Sequence, residues 1–180
     1  MKWLTKFVGF KVLEYFLVHP SGEIYLNELA RELNISKGSV KTYCDELVEC
    51  GIILETEKGN LRLFRLNRDD FAVRAIVKAY YLLKLKSLGI ERLAEGCTSL
   101  AIYGSFATGN IDSRSDLDIL VIGQEDDINR DRLREIDEKL RREIQLTVLP
   151  YYRWEKMKRE RDRFAESILK NYVLIRGVEL

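Results

Sequence analysis

The sequence predicts an α/β fold class, of the α+β type, in which two small domains follow one another along 180 residues. The first third has apolar residues at helical spacing and then two short β-rich runs around a Gly-Asn turn. The rest alternates short apolar strands with helical stretches, which is typical of a sheet with helices packed on it. The pattern changes at Arg68-Asp69-Asp70. We therefore predict one domain over residues 1–68 and a second, with a mixed β-sheet, over residues 70–180.

The first domain is predicted to begin with three helices. Phe7 to Val18 is rich in apolar residues and ends at a turn, so it forms the first helix. Asn27 is expected to cap a short second helix over residues 28–33. Ser36 is expected to cap a longer third helix, and Gly51 lies just past its end, where a left-handed residue is favoured.

A β-hairpin is predicted after the third helix. Residues 52–56 and 61–66 are strand-like and flank Glu57-Lys58-Gly59-Asn60. A helix, a helix-turn-helix and a hairpin in this order indicate a winged helix, and residues 36–53 resemble the recognition helix of winged-helix transcriptional regulators. The resemblance implies binding of duplex DNA in the major groove. The residues expected to contact DNA are Lys37, Ser39, Lys41 and Thr42 on the helix, and Lys58 and Arg62 in the wing.

The charge balance limits how DNA can be bound. The chain has a net charge of +1, so no overall field attracts it to nucleic acid, and binding must depend on a local patch. Asp45, Glu46 and Glu49 crowd the far end of the third helix. The alternative is a winged helix used for protein contacts, including formation of a homodimer.

In the second domain, a buried strand is predicted to break at a glycine. Ser99 to Tyr103 is apolar and ends at Gly104, which allows the backbone to approach a ligand, while Ser105 adds a hydroxyl. Asp116 and Asp118 follow in an apolar strand, where alternation places both on one face, roughly 6–7 Å apart at Cα. Two such carboxylates can hold divalent ions. Either motif alone also fits a plain turn or two solvated aspartates.

Together these motifs resemble the nucleotidyltransferases of the DNA polymerase β superfamily in their small form, over roughly residues 70–177. The resemblance rests on Gly104-Ser105, Gly109 and the Asp116-Leu117-Asp118 triplet within an apolar strand. It implies a nucleoside triphosphate, with ATP favoured, held at its outer phosphates by Gly104 and Ser105. It also implies two Mg²⁺ ions held by Asp116 and Asp118.

One part of the family pattern is missing. A third carboxylate is expected on a later strand, predicted here over residues 144–149, and the aligned position is Gln145, whose amide carries no charge. Glu143, two residues earlier on the same face, is the candidate substitute. Two functions remain: transfer of a nucleotidyl group to an acceptor hydroxyl, or a DNA-binding regulator whose second domain senses a nucleotide with little or no turnover.

The remaining composition excludes several classes of protein. One histidine and three scattered cysteines cannot build a zinc site. The odd cysteine count, with Cys44 on an apolar helix face, predicts buried free thiols in a reducing cytoplasm. Charged residues interrupt the signal-like start at Met1 to Lys6, and no run approaches the ~18 apolar residues of a membrane helix. We therefore expect a soluble, cytoplasmic protein.

Overall fold

The structure is a computed structural model that describes residues 4–180. The chain divides into two compact units between Tyr80 and Tyr81. The division falls inside helix α4, Phe71–Ser87. The domain boundary at residues 68–70 lies just ahead of this helix and stays a prediction.

The first unit contains three helices and a small antiparallel sheet with strand order β1-β3-β2. The helices are α1 (Val8–Val18), α2 (Leu26–Leu33) and α3 (Lys37–Glu49), and the strands are β1 (Glu23–Tyr25), β2 (Ile53–Lys58) and β3 (Leu61–Leu66). The order of helix, helix-turn-helix and hairpin is the one predicted. Strand β1 was not predicted because three residues are too few to show a periodicity.

The cap of α2 differs from the prediction. Helix α2 begins at Leu26, and its N-cap is Tyr25 in an extended conformation rather than Asn27. The backbone N–H of Tyr25 donates to Oε2 of Glu28 at 3.4 Å. Strand β1 runs directly into the helix, so the chain is already helical at Asn27. The prediction relied on Asn27 as a polar N-cap, but the pairing of β1 determines where α2 begins.

The caps of α3 are as predicted. The Oγ of Ser36 accepts a hydrogen bond from the backbone N–H of Ser39 at 3.2 Å. Gly51, with φ of +70°, follows the end of the helix in the left-handed region. Val40 and Cys44 lie on the buried face of α3, so the amphipathic pattern correctly orients the helix.

The second unit is built on a four-stranded sheet with order β6-β5-β4-β7. Strands β5 and β6 are parallel, and β4 is antiparallel to both of its neighbours, so the sheet is mixed as predicted. The strands are β4 (Ser99–Tyr103), β5 (Leu117–Ile122), β6 (Ile144–Leu149) and β7 (Val173–Gly177). The helices after α4 are α5 (Gly104–Thr108), α6 (Arg130–Leu140), α7 (Tyr151–Arg159) and α8 (Arg163–Lys170).

One face of this sheet packs against α7 and α8. Leu120 and Ile122 of β5 pack with Leu149 of β6 against Trp154 of α7 and Ile168 of α8. Because side chains alternate along a strand, Asp118 lies on the same face, two residues before Leu120. The apolar cover of α7 and α8 therefore gives way to a carboxylate at the start of β5. Helix α7, which supplies much of this cover, was not predicted from the sequence.

The cysteines are free thiols as predicted, but not all of them are buried. All three cysteines are free, and Cys44 is buried, but Cys50 is exposed and Cys97 is half-buried. Cys50 caps the end of α3, beyond the part of the helix that packs on the core. Within residues 4–180, no helix is long and apolar enough to cross a membrane.

Candidate functional site

The turn after β4 is in direct contact with the carboxylate of β5. Gly104 begins α5 with φ of +66°, a conformation that side chains rarely adopt. A Cβ at this position would lie 2.2 Å from Oδ2 of Asp118. The carboxylate thus occupies the space that any side chain at 104 would fill, so the fold brings together two motifs that lie 14 positions apart in the sequence.

The two aspartates lie at the start of the central strand. Asp118 is the second residue of β5 and pairs with Tyr103 of β4 on one side and Gln145 of β6 on the other. Asp116 lies one residue ahead of the strand rather than within it. Burial raises the pKa of the Asp118 carboxyl above its usual range, and the charge of Asp116 raises it further. The two carboxylates are therefore close enough to repel each other.

Gln145 lies on strand β6, beside the aspartates. It is the register partner of Asp118, and its Nε2 donates to Oδ2 of Asp116 at 2.8 Å. The amide thus takes the place beside the aspartates that a third carboxylate would occupy. Glu143 lies just ahead of β6 and stays a candidate for the missing carboxylate. In the described part of the chain, no group of three or more His, Cys, Asp and Glu side chains is placed to hold a metal ion.

The side chains present suit a hard divalent cation. Asp116 and Asp118 offer carboxylate oxygens on one face, and their mutual repulsion would be relieved by a positive charge between them. Magnesium is usually held by one or two carboxylates, with the remaining positions taken by water and substrate phosphates. Two carboxylates therefore fit Mg²⁺ bound together with a nucleotide.

Arg142 holds the loop that leads to Asp116, and sequence reasoning missed it. Its Nη1 donates to the backbone oxygens of Asp112 and Ser115, and its Nη2 donates to the hydroxyl of Tyr81 at 3.0 Å. The guanidinium also lies over the ring of Phe106, 5.9 Å from its centroid. Phe106 follows Ser105 directly, so one side chain braces both motifs. No sequence signal distinguishes Arg142 from the exposed Arg141 beside it.

In the winged helix, Arg62 is held by carboxylates of its own unit. Its Nη2 donates to Oδ1 of Asp45 at 2.6 Å and to Oε2 of Glu55 at 2.7 Å, and its guanidinium lies over the ring of Phe64. Hydrogen bonds from Lys41 and Arg62 lower the pKa of Asp45, and those from Arg62 lower the pKa of Glu55. Arg62 thus ties α3 to the hairpin.

Other predicted DNA contacts are also engaged. Lys41 pairs with Asp45 at 2.7 Å, and Lys58 lies 3.7 Å from Glu23. The hydroxyl of Thr42 donates to a backbone oxygen of its own helix, and that of Ser39 lies 2.8 Å from that of Ser36. Of the four predicted cations, Lys37 alone has no ion pair within residues 4–180. Its side chain lines a cavity of about 120 Å³ that Arg62 also lines.

Comparison with known families agrees with this division of the chain. A family model for nucleotidyltransferase domains matches residues 89–175, which include Gly104, Asp118 and Gln145. A family model for winged helix-turn-helix DNA-binding domains matches residues 21–53. No curated protein and no solved structure matches the chain. The predicted fusion is confirmed: the chain joins a winged helix-turn-helix domain of the DNA-binding type to a nucleotidyltransferase domain.

Proposed function

We propose that the protein transfers a nucleotidyl group from a nucleoside triphosphate to an acceptor hydroxyl in the presence of Mg²⁺. The observation that carries this proposal is the close approach of Asp118 to Gly104, which puts a carboxylate against the backbone turn at the start of α5. The absence of a side chain at Gly104 lets the carboxylate of Asp118 approach the turn. A cation held by the carboxylates would therefore lie beside this turn and bring the phosphates of a triphosphate to it.

Each residue has a distinct role in this proposal. Asp116 and Asp118 hold Mg²⁺, which when bound neutralises phosphate charge. Ser105 offers its hydroxyl to the outer phosphates, since this hydroxyl has no hydrogen-bond partner among residues 4–180. The acceptor oxygen forms a bond to the α-phosphorus, the bond to the bridging oxygen breaks, and pyrophosphate leaves while the acceptor proton is released. ATP is the first triphosphate to test.

Gln145 favours a second candidate function. An amide cannot accept the acceptor's proton and adds no charge to the metal site, and here it is already bonded to Asp116. A nucleotide-sensing regulator needs binding but not turnover. In this case the winged helix binds duplex DNA through the exposed start of α3, and nucleotide on the second unit alters that binding.

The deciding experiment measures pyrophosphate release from each triphosphate with Mg²⁺, with and without an acceptor pool. The site variant is Asp118→Asn. The matched control is Asp131→Asn, the same chemical change at a side chain that is 93% exposed on α6. Release that Asp118→Asn abolishes and Asp131→Asn retains supports transfer. If neither release nor calorimetric binding of any Mg-triphosphate occurs, both functions of the site are rejected.

The regulatory candidate has its own measurement. Gel shifts with full-length protein and a broad pool of duplexes should show a complex that weakens as salt rises. Lys37→Ala should weaken it, and added Mg-triphosphate should change its affinity. A complex that is indifferent to nucleotide, together with measurable transfer, would leave the enzyme as the function of the site.

A further inference from the structure

Helices α7 and α8 carry an exposed surface of tyrosines and arginines that no step above uses. Tyr151 and Tyr152, at the start of α7, are 55% and 74% exposed. Four arginines are exposed along the same two helices and the turn between them. We call this the α7–α8 surface, and it comprises Tyr151, Tyr152, Arg153, Arg159, Arg161 and Arg163.

The α7–α8 surface is positively charged in a chain that is almost neutral. Residues 151–170 contain seven lysines and arginines against four carboxylates, whereas the whole chain has a net charge of +1. Lys156 and Lys158 pair with glutamates at 3.7 and 2.7 Å. The four arginines of the surface have no ion-pair partner within the part of the chain that the structure describes. Their charge therefore remains available to an anionic partner.

The helices that carry the surface are anchored by buried apolar residues. Trp154 lies within α7 and is 1% exposed, and Ala165 and Ile168 of α8 are buried in the same apolar cluster. Trp154 anchors α7 to this cluster, and Ala165 and Ile168 lie three residues apart on one face of α8, so both helices are held while the arginines are exposed. Aromatic rings that project from an anchored helix lose little conformational freedom when a partner stacks on them.

Helix α8 packs against the residue that pairs with Asp118. The ring of Phe164, in the first turn of α8, meets the ring of Tyr103 edge-on at 5.8 Å between centroids. Tyr103 is the register partner of Asp118, and directly opposed residues have their Cβ atoms ~5 Å apart. Arg163, an exposed arginine of the surface, directly precedes Phe164 in the first turn of α8. Tyr151 follows the far end of β6, so the surface extends from there toward the start of β5.

We infer that the α7–α8 surface binds a single strand of nucleic acid and that this strand is the acceptor of the proposed transfer. The arginines contact its phosphates, and the two tyrosines stack on its bases. Exposed aromatic rings select unpaired bases, since the bases of a duplex already stack on each other. An acidic protein would satisfy the charges but would leave the tyrosines without a role. The acceptor assignment rests on the proposed function, whereas the binding itself does not.

Binding is tested by fluorescence anisotropy of labelled single strands of about 12 nucleotides, within the usual site size of ~4–16. Full-length protein is used without Mg²⁺ or nucleotide, so that binding is measured apart from transfer. Ribose and deoxyribose strands are separate arms, a duplex of the same sequence is a third, and polyglutamate is the competitor. We expect single strands to bind more tightly than the duplex, with an affinity that falls as salt rises.

Two variants and one control assign that binding. Tyr151→Ala with Tyr152→Ala should weaken single-strand binding about ten-fold by loss of stacking. Arg153→Glu with Arg159→Glu should weaken it at least as much and reduce its salt dependence. The matched control is Arg130→Glu with Arg134→Glu, the same charge reversal at exposed cations of α6 in the same unit. The control should bind within two-fold of wild type.

Several results would overturn the inference. If the control loses as much single-strand affinity as the surface variants, the loss is due to the change in net charge and not to the α7–α8 surface. Full binding in the tyrosine variant, or displacement by polyglutamate as effective as by a single strand, would assign the surface to an acidic partner. Loss of single-strand binding in Lys37→Ala instead would assign it to the winged helix. Asp118→Asn should retain single-strand binding while it loses transfer. If the wild-type protein binds single strands but shows no transfer, the proposed function and the acceptor role are rejected while the binding surface stands.

Discussion

The side-chain amide of Gln145 donates to Oδ2 of Asp116 across 2.8 Å, linking β6 to the residue just ahead of β5. This hydrogen bond steadies an aspartate without adding charge. It also occupies one oxygen of a candidate metal ligand. A carboxylate at 145 would instead repel Asp116 until a cation arrived, so the residue at this position sets how strongly the site requires its metal.

Gln145→Asp should raise the rate of pyrophosphate release and the affinity for Mg²⁺, because it adds a third carboxylate beside Asp116. Activation of the attacking oxygen is commonly worth ~10²–10⁴ in rate. The measurement is release against Mg²⁺ concentration for wild type and variant. Gln145→Asn is the control, since it shortens the side chain equally and stays neutral. A wild type that turns over rapidly, with Gln145→Asp no faster, would show that transfer does not depend on this position.

Asp118→Asn should stabilise the metal-free protein at neutral pH while abolishing Mg-triphosphate binding. The raised pKa of Asp118 means that folding favours its protonated form. Its contribution to stability is therefore present at low pH and is lost as the pH rises from the usual aspartate value through the raised one. The gain in Tm over wild type should grow with pH over this range and shrink when Mg²⁺ and nucleotide are added. Asp131→Asn should show neither trend.

Gly104→Ala should abolish nucleotide binding and destabilise the second unit. A left-handed conformation costs a residue with a side chain about 1–2 kcal/mol, and the new Cβ would additionally displace Oδ2 of Asp118. Gly59→Ala is the control, because Gly59 has a similar φ of +64° and nothing within 4 Å of the added atom. Urea unfolding should show a larger loss for Gly104→Ala. Equal losses, with binding retained, would mean that the contact is unimportant.

Arg142→Gln should destabilise the loop that ends at Asp116 by ~1–3 kcal/mol, since two backbone oxygens lose a charged donor. As a positioning residue it should act on the affinity for Mg-triphosphate, with Arg142→Lys restoring part of it. Arg134→Gln is the control on α6. Calorimetric titration at a temperature where all variants are folded separates positioning from unfolding. Unchanged affinity in Arg142→Gln would limit its role to stability.

Arg62→Ala should destabilise the winged helix at neutral pH, with a difference from wild type that disappears in acid. Hydrogen bonds from Lys41 and Arg62 lower the pKa of Asp45, and those from Arg62 lower the pKa of Glu55. Their contribution is thus present above the usual carboxyl values of about 4 and is lost as the pH falls through the lowered ones. Arg65→Ala, at an exposed arginine of the same strand, should have little effect. Thermal unfolding across pH measures both.

Local signals in the sequence were enough to predict much of the fold. Strands β4 and β6 were predicted with the bounds they have, because each is an apolar run bounded by turn residues or charges. Helix α3 was predicted with both of its caps. Helix α7 was missed because a single buried tryptophan among charged residues gives no amphipathic period, although that one residue anchors the helix.

Only the site residues that residue type and spacing identify could be predicted from the sequence. Gly104, Asp116 and Asp118 were identified from their types and spacing, and Gln145 from its place in a strand. The brace formed by Arg142 and the pairing of Arg62 with two carboxylates were not, since both depend on contacts between distant parts of the chain. The sequence alone does not show whether a charged side chain contacts solvent, a ligand or another residue of the same chain.

Strand β4, which ends just before Gly104, pairs with two strands that lie at very different distances from it along the chain. Tyr103 of β4 pairs with Asp118 nearby, whereas Ile102 pairs with Val173. Closing the longer loop costs more chain entropy, and non-local pairing slows folding. Until β7 docks, β4 exposes an apolar edge at Leu100-Ala101-Ile102, which is a template for intermolecular pairing. Variants that weaken β7 should therefore aggregate during expression, even though they change no residue that contacts a ligand.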